Sequence, residues 1–144
     1  MNASPITTTQ VLLARRPTGA PVPEDFRVAE APLAPLADGQ LRIRGHWLSL
    51  DPYMRGRMND SKSYAAPQAL GEVMQGGTAG EVIESSSPRF SPGDKVVGMG
   101  GWQSYSVVDA DVPAMLRKVD TTHVPISHFL GAVGMPGVTA WHGL

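Results

Sequence analysis

Cysteine is absent from the 144 residues, and that absence removes disulfides, thiolate nucleophiles, iron–sulfur ligation and cysteine-based zinc sites together. An excess of either charge is lacking too. Twelve Lys and Arg stand against 13 Asp and Glu for a net charge of −1, with no basic stripe or acidic tail, so nothing in the balance attracts nucleic acid. No apolar run approaches the roughly 20 residues needed to cross a bilayer. The opening Met1-Asn2-Ala3-Ser4-Pro5 has no basic start leading into an apolar stretch, as a secretory signal requires. The expectation is a cytoplasmic protein with no membrane and no nucleic-acid partner. A Gly-x-Ser-x-Gly elbow is missing, which leaves acyl-enzyme hydrolysis without an anchor. His46, His123, His128 and His142 form no His-x-x-x-His pair and read as solvated or core side chains rather than metal ligands. Glu24 beside Asp25, and Asp109 near Asp111, read as solvated surface.

What is present is a core. Apolar residues make up 42% of the chain and charged ones 17%, enough hydrophobic material to offset the ordering of one domain. Sixteen glycines and 13 prolines punctuate short alternating segments, a pattern that predicts a mainly β chain closed into a barrel or a partly open one. Strands are expected over Gln40–Leu50, with Leu41, Ile43 and Gly45 facing in and Arg42, Arg44 and His46 facing water, and over Gly80–Ser85, Lys95–Met99 and Gln103–Val108. Ser91-Pro92-Gly93-Asp94 reads as a type II turn feeding the third of these. The proline-rich stretches 16–23 and 31–35 read as surface loops around edge strands. Near the end, 125–131 and 136–144 predict two short helices, the first capped by Thr121 or Thr122 and the second opened by Pro136. The second helix stops without a terminating signal, and the chain reads as cut rather than finished.

Glycines at Gly71, Gly76, Gly77, Gly80, Gly98, Gly100 and Gly101 invite a phosphate-loop reading, but Gly98-Met99-Gly100-Gly101-Trp102-Gln103 lacks the third glycine of a dinucleotide fingerprint and leads into a strand. Barrel corners and bulges account for them instead. The informative segment is Leu48-Ser49-Leu50-Asp51-Pro52-Tyr53-Met54-Arg55-Gly56-Arg57-Met58. Here a half-buried strand ends in Asp-Pro, which forces a turn and delivers Tyr53 and Met54 at its exit. A phenol there could donate a hydrogen bond to a developing oxyanion, or simply pack a barrel end, and the residues alone leave both readings open.

Four blocks, 48–58, Met-Gln-Gly-Gly-Thr-Ala-Gly-Glu-Val-Ile-Glu-Ser (74–85), Pro-Gly-Asp-Lys-Val-Val-Gly-Met-Gly-Gly-Trp-Gln (92–103) and Leu-Gly-Ala-Val-Gly-Met-Pro-Gly-Val-Thr-Ala-Trp (130–141), together resemble the zinc-independent medium-chain dehydrogenase/reductase family. The branch is that of the prostaglandin reductases, alkenal double-bond reductases and curcumin reductases. The resemblance implies a GroES-like, partly open β-barrel with short helices over residues 1–124, the first nine flexible. Residues 125–144 would then be a helical connection towards a Rossmann domain that lies beyond Leu144. It also implies NADP(H)-dependent reduction of the C=C bond of small-molecule enones and enals. Hydride would pass to the β carbon and a proton to the α carbon, in a full-length protein that is a homodimer.

By the same resemblance, Tyr53 is the substrate-pocket tyrosine and catalytic donor, and Met54 and Tyr64 contact substrate, Tyr64 from a variable loop at the entrance. Met135 and Thr139 lie near the nicotinamide and Pro52 near its ribose. Metal-dependent relatives place a cysteine where Ser49 to Tyr53 stand and Gly-His-Glu where Met74-Gln75-Gly76-Gly77 stands, so no metal is expected. With the Rossmann domain absent, the isolated chain is expected to be inactive. The alternatives are a stand-alone GroES-like binding module and a domain of a quinone reductase of the same superfamily.

Overall fold

The computed structural model describes residues 6–111 and 116–144. A hairpin of β1 (Thr7–Leu13) and β2 (Phe26–Pro32) comes first, with a 3-10 turn at Pro23–Asp25 between its strands. Five strands follow in a second sheet: β3 (Gln40–Leu48), β4 (Thr78–Ser85), β5 (Lys95–Gly98), β6 (Tyr105–Asp109) and β7 (Leu116–Lys118), ordered β6-β3-β4-β5-β7 and antiparallel throughout. Helix α1 (Tyr53–Arg57) leaves the end of β3, and a 3-10 helix (Ile126–Leu130) and α2 (Met135–His142) close the chain. The result is the partly open, GroES-like barrel expected from the sequence, with few helices.

The expected strands are present with shifted ends. β4 begins two residues earlier, β6 two residues later, and β3 stops at Leu48 because its final two residues enter the Asp-Pro turn. Gly93, at φ 97°, and the Asp94 N–H donating to the Ser91 carbonyl at 3.0 Å form the type II turn ahead of β5. β1 opens at Thr7, so Thr7–Thr9 of the expected flexible leader belong to a paired strand, while residues 1–5 of that leader lie outside the described residues. The hairpin joins the larger sheet through isolated bridges, Gln10 to Gln103 and Leu12 to Val73.

One side chain replaces a rung of that junction. Thr8 is fully buried, and its hydroxyl donates to the Tyr105 carbonyl at 2.9 Å while accepting the Tyr105 N–H at 3.0 Å. It serves β6 as a neighbouring strand's backbone would.

Two apolar clusters fill the molecule. Leu41, Ile43, Val82, Phe90, Val96 and Ala110 form the centre of the barrel, and Leu13, Met54, Met58 and Met74 fill the end beneath α1. Curvature between them comes from two register shifts in the β3–β4 pair, between Arg42 and Ile43 and between Gly45 and Trp47, and a Cβ on Gly80 would collide with the Arg44 carbonyl oxygen.

Several polar expectations are corrected. Arg42, placed on the wet face by alternation, is 7% exposed because the 33–38 loop folds over it; its Nη2 donates to the Ala34 carbonyl at 2.7 Å and its Nη1 pairs with Glu84. Asp25, read as solvated, is 2% exposed and accepts from the Val22 N–H at 2.9 Å and from Arg15 Nε at 2.7 Å. Neither threonine caps the first C-terminal helix. That helix is a 3-10 turn with Pro125 at its N-cap, and Thr122 instead bonds the Asp120 carboxylate. In α2, Pro136 stands inside the first turn as expected, one residue after the helix opens at Met135.

Removing the Thr8 hydroxyl while keeping its shape leaves the Tyr105 N–H and C=O without a partner, so Thr8→Val should lower unfolding free energy by about 1–3 kcal/mol in urea titrations. The Val22 backbone bond, then Arg15, hold the Asp25 carboxyl below its ordinary 3.8. A depressed folded value stabilises above the unfolded value and loses that stabilisation as the carboxylate protonates. Asp25→Asn should therefore lower the urea midpoint clearly at pH 7. The gap to wild type should narrow below pH 3.8, and a gap of equal width at pH 3 would show that the charge contributes nothing.

Candidate active site

The exit of β3 builds the site. Ser49 N–H pairs with the Gly77 carbonyl at 2.9 Å, holding the chain beside β4 for one residue past the strand. Asp51-Pro52 then turns it: Pro52, with φ −56° and ψ −32°, is already helical, and the Met54 N–H reaches back to the Asp51 carbonyl at 3.1 Å. Proline suits this position because its missing N–H has no role at a helix start. Successive residues of a helix point about 100° apart, so Tyr53 and Met54 diverge at once.

Tyr53 faces a cavity of about 810 Å³ between the β3 exit and the C-terminal helices. Ser49, Asp51, Pro52 and Gly77 line one side, and Phe129, Leu130, Met135, Pro136, Thr139 and Ala140 the other, with Met99 between them. Four residues singled out in the sequence, Pro52, Tyr53, Met135 and Thr139, thus meet across more than 80 residues of chain. Their meeting depends on Gly137, where any Cβ would overlap the Ala132 carbonyl, so α2 crosses closely over the turn that follows Leu130. The wall is predominantly apolar, a setting that strengthens any hydrogen bond made inside it.

Burial, and then the negative charge of Asp51, raise the Tyr53 phenol above its ordinary 10.0, partly offset by the Arg57 guanidinium. A phenol is already neutral at physiological pH, and the shift only keeps Tyr53 a hydrogen-bond donor further above it. The two readings of this residue turn out to be compatible, because its ring also packs on the Leu13–Met74 cluster. The Thr139 hydroxyl donates to the Met135 carbonyl at 2.9 Å within its own helix, which leaves its lone pairs facing outward as acceptors.

Two residues fall elsewhere. Met54 is 4% exposed in the cluster with Leu13, Met58 and Met74, so it lies in the core and off the cavity wall. Tyr64 is 85% exposed and reaches the site only through Arg57, whose guanidinium lies 5.7 Å from the Tyr53 ring centre and 5.9 Å from that of Tyr64. Sequence reasoning missed the far wall, Phe129 and Leu130, and the Met99 floor. The apolar character of 129–130 was visible, but nothing local tied it to the β3 exit. Among the described residues no three of His, Cys, Asp or Glu come together as metal ligands.

The comparisons agree with this architecture. Residues 9–118 match the family model described as the N-terminal domain of oxidoreductase. The NADPH-dependent curcumin reductase of Escherichia coli is 48% identical over 133 residues, which cover 92% of this chain and 38% of the reductase. The NADP(+)-dependent 2-alkenal reductase of Nicotiana tabacum is 34% identical over 98% of this chain and 42% of its own length. The crystal structure of CurA in complex with NADPH from Vibrio vulnificus superposes with a TM-score of 0.85 at 42% identity, covering 94% of this chain and 40% of CurA.

The fold and these matches define a medium-chain dehydrogenase/reductase domain. The chain belongs to that family's zinc-independent branch, with the curcumin, alkenal and prostaglandin reductases, and corresponds to the N-terminal part of its members. It spans about two fifths of the length of the relatives it matches.

Because Met54 fills the core and Tyr53 the cavity, their substitutions should separate. Met54→Ala should cost about 2–5 kcal/mol of unfolding free energy, whereas Tyr53→Phe should leave the denaturation midpoint near wild type.

Proposed function

We propose that this chain is the substrate-side domain of an NADP(H)-dependent oxidoreductase that reduces the C=C bond of α,β-unsaturated aldehydes and ketones without zinc. The observation that carries the reading is the shared cavity of Pro52, Tyr53, Met135 and Thr139. Its space and mostly apolar walls suit a flat nicotinamide beside an enone, with Met135 and Thr139 next to the nicotinamide and Pro52 towards its ribose. When bound, the cofactor supplies hydride to the β carbon of the substrate. The remainder of the cofactor is held mainly by a Rossmann domain outside these 144 residues, as the length of the relatives suggests.

The chain's own residues act on the substrate. As the β carbon gains hydride, negative charge develops on the carbonyl oxygen, and the neutral Tyr53 phenol donates a hydrogen bond to it. The surrounding apolar wall keeps water from competing for that oxygen. The α carbon of the enolate then takes a proton from solvent water as the carbonyl re-forms, and Tyr53 keeps its own proton. A phenol in this role replaces a Lewis acid, and the side chains of Ser49 to Tyr53 and of Met74 to Gly77 include neither cysteine nor histidine. The full-length protein is read as a cytoplasmic homodimer with no nucleic-acid partner.

The test is NADPH oxidation by the full-length protein with a panel of enones, enals and quinones. Enone and enal turnover that persists in chelator is expected, and turnover of quinones alone would replace this reading with that of a quinone reductase. Tyr53→Phe should lower kcat/KM by about 10²-fold, the usual cost of one oxyanion donor. The 144 residues alone should oxidise no NADPH with any of these substrates; saturable turnover by them would overturn the assignment of cofactor binding to a separate domain.

A further inference from the structure

Strand β7 divides its side chains between two faces. Leu116 packs on the central cluster, and Lys118, two residues on, pairs with Asp94 at 2.7 Å and lies 5.3 Å from the ring centre of Phe90. Arg117, between them, takes the other face. It stands opposite Val97 in the β5–β7 ladder, beside the 3-10 helix that lies against β4 and β5, and its guanidinium is 5.9 Å from the ring centre of Phe129.

A groove of about 240 Å³ runs there, lined by Arg117 and Val97 together with Met99, Phe129, Leu130 and Met135. The last four also line the cavity of Tyr53, so the groove adjoins that cavity along four side chains. Arg117 is its one charged residue among the described residues. That charge is uncommitted: Arg117 is exposed and pairs with no carboxylate among the described residues, whereas Arg15, Arg42, Arg89, Lys95 and Lys118 each do. The Phe129 ring attracts the cation but takes up none of its N–H donors as a carboxylate would, so the donor fork stays available. Across the cavity, Asp51 is the one carboxylate on the wall among the described residues. An anion is repelled from that side and drawn towards Arg117, a separation of charge that orients a long molecule.

We infer that Arg117 determines specificity by receiving the terminal carboxylate of a substrate whose apolar arm lies along Met99, Phe129 and Leu130 while its enone faces Tyr53. The inference rests on the enone reading above and adds the substrate class, enones with an apolar arm that ends in an anion. A guanidinium suits this place because it holds a carboxylate through two parallel N–H···O bonds and is weakly hydrated, so it lies against an apolar wall at little cost. A neutral enone of the same length makes the wall contacts without the ion pair.

The test uses the full-length protein and vinyl ketones whose alkyl chain ends in a carboxylate, at several chain lengths, each beside its methyl ester. Wild type should prefer acid to ester in kcat/KM, chiefly through KM, and only where the chain spans the groove. Arg117→Gln should lower that ratio about tenfold, the weight of one partly exposed charge-assisted contact. Arg117→Lys should keep part of the preference and Arg117→Glu should invert it. Rising salt should shrink it. Arg27→Gln, which removes an equal charge from an exposed position on β2, should keep the wild-type ratio.

An acid-to-ester ratio that is the same in wild type and Arg117→Gln would leave Arg117 a solvated charge on an edge strand and overturn the inference. A raised KM for NADPH, with acid and ester affected equally, would assign the guanidinium to a cofactor phosphate and overturn it too. Calorimetric titration with the saturated keto acid, in the presence of NADP+, reads the subsite without turnover, and affinity should fall about tenfold in Arg117→Gln. If wild type reduces no enone, the enone reading falls. Binding of the keto acid that depends on Arg117 would then still support the carboxylate subsite, and absent or Arg117-independent binding would overturn it.

Discussion

Close approach of two backbones at Gly80 sets the geometry on which the remainder of the molecule depends. With no Cβ in the way, the Arg44 carbonyl settles against β4, and the register between β3 and β4 shifts across Gly45 and Trp47. Side chains in a strand alternate between faces, so one residue of slippage exchanges them. Past the bulge the chain stays beside β4 as far as Ser49, whose N–H pairs with the Gly77 carbonyl, and enters the turn whose residues line the cavity. The bulge also lets β3 outrun β6, whose pairing ends at Arg44 and Tyr105, and carry its last residues towards the C-terminal helices.

The cavity is a product of several such local decisions. Asp-Pro ends the strand and starts a helix within one residue, which separates Tyr53 from Met54. Gly137 lets α2 close the far side. Electrostatics then act on a surface shaped by sterics: the apolar surround and Asp51 push ionisation of the phenol further up, and Arg57 tempers the effect.

Much of the barrel was legible in the sequence where one face is buried and the other wet. Alternation marked β3, and turn chemistry marked the start of β5, because both signals are local. β1 and β2 were not marked, since Thr7–Leu13 and Phe26–Pro32 alternate weakly and prolines surround them; they are recognised only once the Thr8 hydroxyl and the bridges to Gln103 and Val73 are seen. Arg42 and Asp25 escaped for another reason. Each is buried by a partner remote from any sequence pattern, the Ala34 carbonyl for one and the Val22–Arg15 pair for the other. Of the site, the residue types were visible in the blocks that resemble reductases, but whether a side chain lined the cavity or the core was a matter of helix phase. That is why Tyr53 and Met54, neighbours in the chain, part company.

Arg16 Nη1, donating to the carbonyls of Met58 at 2.9 Å and Gln68 at 3.2 Å, separates closure of the intervening loop from its composition. Once the ends are joined by contacts outside the loop, doubling its length costs only about 0.6 kcal/mol of closure entropy. The tip is thus an exchangeable cassette. Residues can be inserted, deleted or replaced there while the base, the barrel and the tyrosine at the helix start stay where they are.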